Sequence, residues 1–482
     1  MHWVVCWARS VFAGWNATTR TLTDTLETNP TDSLDRKPTH MTYHVNRRSF
    51  LGSLLAASTV ATLQAAEQDK PFSTAEMLAA ARQNETIHRA REIAVEILKP
   101  SPKVLEHGLE LHANSLVFDT YGFAPRAAVD GDALREAAEA GASAIELQDL
   151  REEMSMTRYV SNAAERAEFI QAWQASGVTC IFQNAGEESQ APLTLLKRLA
   201  HFTYATDMMR DFMAKAATPD EIVAAKEQGR RCLYLTGNGV PLTQQWVSVE
   251  DELRYLSVFF QLGIRMMHLT YQRRNMIGDG CAESSNAGLS DFGRSVVAAM
   301  NKVGVIVDIA HSGWQTSLEA AQLSQRPMVA SHSTCTALHH HIRSKPDEVI
   351  KAIADSGGLI GICCIPRFLG GSGDIVALLD HIDHVVKLCG IEHIGIGTDV
   401  SYTSRNYAAE SQKIPKGPKS RTDWRTLWPP DSFKETPEGQ QSIAWTNWPM
   451  FTVGLVQRGY SDEDIQKIVG GNMLRVARAA LG

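Results

Sequence analysis

The stretch Val303-Gly-Val-Ile-Val-Asp-Ile-Ala-His-Ser-Gly313 decides the fold. It is a short β-branched run that delivers one imidazole, His311, just past its end. About twenty residues on, Arg326-Pro-Met-Val-Ala-Ser-His-Ser-Thr334 does the same with His332, and Glu392-His-Ile-Gly-Ile-Gly-Thr-Asp-Val400 ends in Asp399. In a parallel α/β barrel the carboxyl ends of the strands converge on one mouth, where catalytic groups gather. Two imidazoles and a carboxylate delivered this way point to metal-centred hydrolytic chemistry.

Working outward, nine short apolar runs alternate with longer amphipathic segments: 115–121, 143–148, 178–184, 232–238, 264–271, 304–311, 327–333, 358–365 and 393–399. Near-continuous apolar runs separated by helix-length connections predict a parallel sheet buried on both faces. The expected fold is a (β/α)8 barrel of the metallo-dependent hydrolase kind, so one of the nine runs must lie outside it. The connections carry helix signals. Ser290 caps a helix opening at Asp291, whose charge suits the positive end. Phe292, Val296, Met300 and Val303 share one face, and Gly304 ends it. A second helix includes Asp380–Cys389 and stops at Gly390; His381 and His384 on it read as surface or rim residues. The run His339-His340-His341 reads as a solvated loop, since neighbouring residues point in different directions. Arg273, Arg274, Asn275 and Asp279 are expected to shape the loop after their strand.

Residues 402–450 interrupt the pattern and hold Trp424, Trp428, Trp445 and Trp448. An excursion there reads as a lid over the mouth or a homodimer contact. A closing helix spans 462–481.

Hydrophobic residues make up 44% and charged residues 21% of the 482, ordinary for a soluble globular chain. A formal charge of −7 and a pI near 6.2 give no basis for nucleic-acid binding or a polybasic membrane contact. The eight cysteines show no paired zinc spacing and read as buried free thiols. Near the start, Arg47-Arg48 precede an uncharged Ala/Leu-rich stretch from Gly52 to Ala66, the form of a twin-arginine signal peptide over 41–66. Residues 1–40 lie upstream of Met41 as a leader, and 70–482 form the barrel domain. The expectation is an exported, periplasmic or cell-envelope protein without an integral membrane segment.

Several blocks, in order, carry a resemblance: 288–313 (GLSDFGRSVVAAMNKVGVIVDIAHSG), 330–334 (ASHST), 342–362 (IRSKPDEVIKAIADSGGLIGI), 380–399 (DHIDHVVKLCGIEHIGIGTD) and 457–476 (QRGYSDEDIQKIVGGNMLRV). They resemble the membrane (renal-type) dipeptidase family of zinc peptidases, within the amidohydrolase superfamily. The resemblance implies a metallo-dipeptidase acting on dipeptides or related small amides. It puts His311 and His332 in the positions of two zinc ligands and Arg343 in that of the arginine that holds the substrate carboxylate. Asp399 matches the acidic residue that moves protons. The chain departs from the pattern elsewhere. The family's His-x-Asp pair for the first zinc falls on Tyr121 and Phe123, and its bridging glutamate on Thr236, with Asn238 close by. A histidine that assists the carbonyl oxygen falls on Tyr271, whose phenol can still donate a hydrogen bond. One zinc ion rather than two is therefore expected, with Asp399, Asp119, Glu187 or Glu188 as further candidates for its shell. The alternatives are a metal-free pseudoenzyme that binds small carboxylates and a one-metal amidohydrolase with a non-peptide substrate such as a lactone.

Overall fold

Of the nine apolar runs, eight are barrel strands; the ninth, Ser143–Gln148, is the start of a helix, Ala144–Ser161. Its signal is a capping box: the Ser143 hydroxyl accepts from Glu146 N while Glu146 reaches back to Ser143 N. Two donors satisfied at a helix start outweigh the strand-like apolar content of six residues. The computed structural model describes residues 71–186, 191–415 and 432–482. The expected leader and twin-arginine segment lie outside the described residues, as do Glu187, Glu188, Trp424 and Trp428.

The strands are β1 (Phe118–Gly122), β2 (Cys180–Asn184), β3 (Arg231–Gly237), β4 (Ile264–His268), β5 (Ile306–Asp308), β6 (Val329–Cys335), β7 (Leu359–Ile362) and β8 (Ile394–Ile396). They neighbour one another in sequence order and every ladder is parallel. Short extra strands, Met213–Ala216 and Ser344–Lys345, pair with β3 and β6. The seam between β8 and β1 is closed by a side chain. Asp119 accepts from Thr398 N (2.9 Å) and Thr398 Oγ1 (2.6 Å), and Asp399 N donates to Tyr121 O (3.0 Å).

Inside the barrel, Phe118, Phe182 and Tyr234 stack in series, with ring centroids 5.4 and 4.8 Å apart. Met266, Ile306, Val329 and Leu359 complete this layer, and Met473, Val476, Ala477 and Ala480 of the last helix join the same cluster. That helix therefore closes the amino-terminal end of the barrel. The expected continuous helix 462–481 is interrupted: Asp462–Gln466 and Asn472–Leu481 flank a π-turn at Lys467–Gly471. A Cβ at Gly470 would stand 2.2 Å from Leu116 O, so the turn is where chain and barrel floor meet too closely for a side chain. Higher up, Thr120 Oγ1 donates to Ser331 O (2.7 Å) across the interior. A Cβ at Gly397 would fall 1.9 Å from that same carbonyl, which explains why a glycine faces it.

The helix signals hold. Asp291–Val303 begins at the Ser290 cap and ends at Gly304, φ +90°; Ile375–Cys389 ends at Gly390. His381, expected at the rim, is instead buried: its Nε2 meets Leu369 O (2.9 Å) and its Nδ1 accepts from Cys335 N (3.1 Å). It shares a helix face with Leu378, Ile382 and Val385, and burial follows that face. His341 of the histidine run is likewise buried and accepts from Arg343 N. Trp445 and Trp448 are core residues, not a lid: both are under 2% exposed, and Trp445 Nε1 donates to Asp119 Oδ2 (3.2 Å). The helix Trp448–Gln457 contacts the helix Pro102–Asn114. Five cysteines are buried and free, as expected; Cys281 and Cys389 are half-buried. No described helix is long and apolar enough to cross a membrane.

Candidate metal centre

His268 is the last residue of β4, Asp308 the last of β5, His311 follows three residues later, and His332 lies in β6. Consecutive strands thus bring three imidazoles to one mouth, with ring centroids 4.9 to 5.4 Å apart. One nitrogen of each lies within 4.8 Å of the others. His311 Nε2 and His332 Nε2 are 2.9 Å apart. The sequence marks two of these three histidines, His311 and His332, at the ends of apolar runs. His268 sits beside Met266 and Met267 and reads as core, yet it ends its strand in the same manner as the other apolar runs that carry a polar group.

The hydrogen bonds define which nitrogens hold protons. Burial alone would raise Asp308, but His268 and the Ser331 bonds outweigh it and hold the carboxyl below its usual range. An ionised Asp308 only accepts, so the Ser331 hydroxyl donates to it. Ser331 Oγ then accepts from His332 Nδ1 (2.8 Å), which leaves a lone pair on His332 Nε2. On the other side, Arg343 Nη2 lies 3.3 Å from His311 Nε2. A guanidinium has no acceptor, so this nitrogen too presents a lone pair. Burial first, and the Arg343 charge second, push both imidazoles well below their ordinary pKa, so both are neutral. Two lone pairs facing each other at 2.9 Å repel unless something electron-poor stands between or beside them.

His268 repeats the pattern. Its Nδ1 donates to Gly237 O (3.2 Å), so its Nε2 faces inward. That atom lies 3.0 Å from Asp308 Oδ2, near enough for an ion pair, but misaligned for a hydrogen bond. Three inward-facing imidazole nitrogens, those of His268, His311 and His332, are the donor set of a catalytic zinc site with an open fourth position. Tetrahedral Zn–N bonds of about 2.0–2.1 Å imply nitrogen separations of about 3.3–3.4 Å; the His311–His332 pair stands at 2.9 Å, and a nitrogen of His268 lies within 4.8 Å of both. The residues present fit one such ion.

Aromatic rings hold the imidazoles in plane. Tyr121 stacks on His332 (3.8 Å) and Tyr271 on His311 (3.9 Å). The Tyr121 hydroxyl donates to Asn238 Oδ1 (2.8 Å), and Thr236 Oγ1 donates to Met266 O. The positions that in the resembled family carry the first metal's ligands are thus engaged in packing and hydrogen bonds. Asp119 belongs to the barrel seam rather than the centre. Asp399, half-buried with φ +57°, faces the field of Arg343 and His268 from β8, and burial pushes its carboxyl up to about 6. Arg343 reaches the centre at His311 Nε2, and its Nη1 and Nη2 also donate to Ala310 O and His332 O; it is 1% exposed. It braces the two histidine-bearing segments. Arg274 pairs with Asp279 in the loop after β4, as expected.

Ser331→Ala is predicted to free His332 Nδ1 and weaken metal affinity by about 10–100-fold, the usual effect of removing a ligand's outer partner. Competition with a chromophoric chelator measures this; unchanged affinity would remove Ser331 from the scheme.

Fold and centre together define an eight-stranded barrel with a candidate metal-binding histidine cluster at its carboxyl-terminal mouth. Residues 106–409 match the membrane dipeptidase family (peptidase family M19), and the chain belongs to that family. Dipeptidase tcpJ of Claviceps purpurea is 26% identical over 277 residues, 56% of this chain and 56% of that protein. The chain thus spans about half the length of this relative. An amidohydrolase from Pseudomonas aeruginosa has a similar structure, with 26% identity, a TM-score of 0.56, and coverage of 78% of this chain and 99% of that one. The metallopeptidase dipeptidase AC shares the fold at 18% identity, with a TM-score of 0.53 over 76% of this chain and 99% of its own.

Proposed function

We propose that the chain is a metal-dependent hydrolase of dipeptides or related small amides, with one zinc ion held by His268, His311 and His332. The observation that carries this is the convergence of three imidazole nitrogens, two of them 2.9 Å apart, inside a member of a dipeptidase family. When bound, zinc supplies Lewis acidity that makes water acidic near neutral pH and polarises a carbonyl. The chain's own residues do the rest. Asp399, with a carboxyl near 6, takes a proton from the attacking water and returns it to the leaving amine. Tyr271 donates from its phenol to the developing oxyanion. Asp308 and Ser331 fix the His332 tautomer, and Arg343 fixes the spacing of the histidine segments. We further propose export by the twin-arginine route, which carries folded chains and suits a centre loaded before export.

One observation favours a second reading. The Arg343 guanidinium beside His311 Nε2 is itself a cation in the centre, as in a metal-free protein that binds small carboxylates.

Elemental analysis of the purified folded chain separates the two. The hydrolase reading expects one equivalent of zinc and dipeptide hydrolysis that a chelator stops and zinc restores. Hydrolysis should rise with pH through about 6 as Asp399 ionises. No bound metal, and no hydrolysis once zinc is supplied, would establish the binding protein instead.

A further inference from the structure

Past the carboxyl ends of β1 and β2 lies a cavity of about 540 Å³ that the histidine centre does not use. Its walls are partly apolar, with Phe123, Met156, Tyr159 and Phe202. Three guanidiniums, Arg126, Arg151 and Arg198, line it against a single carboxylate, Glu152. Glu152 is already engaged: Arg198 donates to both of its oxygens, at 2.8 and 3.0 Å. Among the described residues Arg126 and Arg151 make no close ion pair, and Glu152 acts on Arg126 only through its field. Arg151 Nε is buried with no hydrogen-bond partner, and the Arg126 guanidinium rests over the Phe123 ring, 4.9 Å from its centroid. Desolvation first, and the charge of Arg198 after it, hold Arg126 below its ordinary pKa, with Tyr407 and Glu152 pulling the other way.

The cavity therefore carries an excess of positive charge, with Arg126 exposed at its mouth and Arg151 half-buried, and an anion that filled it would offset that charge. The volume falls within the range of small-molecule sites. Inorganic phosphate would call for polar walls throughout, whereas these walls fit a carboxylate on an apolar body. The cavity also adjoins the centre. Phe123 packs edge-on against Tyr121 (5.8 Å), and Tyr121 lies flat on His332. Arg343 Nη1 and Nη2 already donate to Ala310 O and His332 O, so a second cationic position beside the centre would add to what Arg343 can hold.

We propose that the Arg126–Arg151 cavity is a specificity subsite that binds a carboxylate of the substrate, carried on an apolar residue. Calling the ligand a substrate rests on the hydrolase reading; the binding itself does not. The test is calorimetric titration of the full chain, zinc-loaded and metal-stripped, with N-acetylphenylalanine and with its uncharged amide. The acid is expected to bind both forms, and the amide at least tenfold more weakly. Arg126→Gln and Arg151→Met should each weaken the acid at least tenfold. Arg126 is exposed, so its variant keeps the fold even where Arg151→Met does not, and circular dichroism checks both. Equal affinity for acid and amide, undiminished binding by Arg126→Gln, or saturable phosphate binding that the acid cannot displace would each overturn the assignment. Binding of the acid by a chain without metal or hydrolysis would retain the subsite and discard the hydrolase reading.

Discussion

Replacing both His311 and His332 by alanine should strip the zinc and lower dipeptide hydrolysis by about a thousandfold or more, while the barrel remains folded. The two residues supply two of the three nitrogens at the mouth, and one remaining imidazole cannot hold a catalytic ion, which ordinarily has three protein ligands. Lewis-acid stabilisation of a transition state amounts to several kcal/mol, and about 1.36 kcal/mol is a factor of ten in rate. The fold persists because the histidines form one layer above a separate apolar one, where Phe118, Phe182 and Tyr234 stack. Elemental analysis, circular dichroism and single-turnover assays on one preparation make the measurement. Zinc retained at one equivalent in the double variant would place the metal elsewhere and end the proposed scheme.

Asp119→Ala should cost about 3–5 kcal/mol of stability, although the residue touches no part of the proposed chemistry. Its carboxyl accepts from Thr398 N, Thr398 Oγ1, Tyr121 N and Trp445 Nε1, all in a site with 0% exposure. Alanine strands these donors, and each buried unsatisfied group costs about 1–3 kcal/mol, partly relieved by local relaxation. The barrel loses its closing contact at the same time. Burial outweighs the donors and pushes Asp119 up to about 7 from 3.8. A carboxyl raised in the folded state stabilises the fold fully below its unfolded pKa, and that contribution is lost as pH rises through 7. Denaturant titrations from pH 4 to 8 should therefore show a decline that is flatter in Asp119→Asn. An alanine variant within 1 kcal/mol of the parent would refute the seam's importance.

Much of this was legible because strand ends announce themselves. His311, His332 and Asp399 each follow a β-branched or glycine-spaced run, and a parallel barrel converts that position into convergence. His268 occupies an equivalent place but hides among methionines, where a lone histidine reads as core. Ser143–Gln148 misled because six residues cannot distinguish a strand from a helix start; Glu146, three residues after Ser143, carried the deciding information. The tryptophans after β8 suggested a cover by composition alone. Their position against Asp119 depends on contacts more than three hundred residues apart in sequence, which no local pattern encodes. The engagement of Arg343 with backbone carbonyls is invisible for the same reason.

His268, Asp308, Ser331 and His332 have 0% exposure, and Tyr121 and Arg343 have 1%. An ion lodged among them would be screened from bulk water on most sides, with Tyr271 and Asp399, both half-buried, on the more open side. Its departure would then depend on transient loosening of the mouth, with Tyr271 lifting from His311, as well as on the strength of the bonds. A chelator would accordingly remove it more slowly than its affinity alone would dictate.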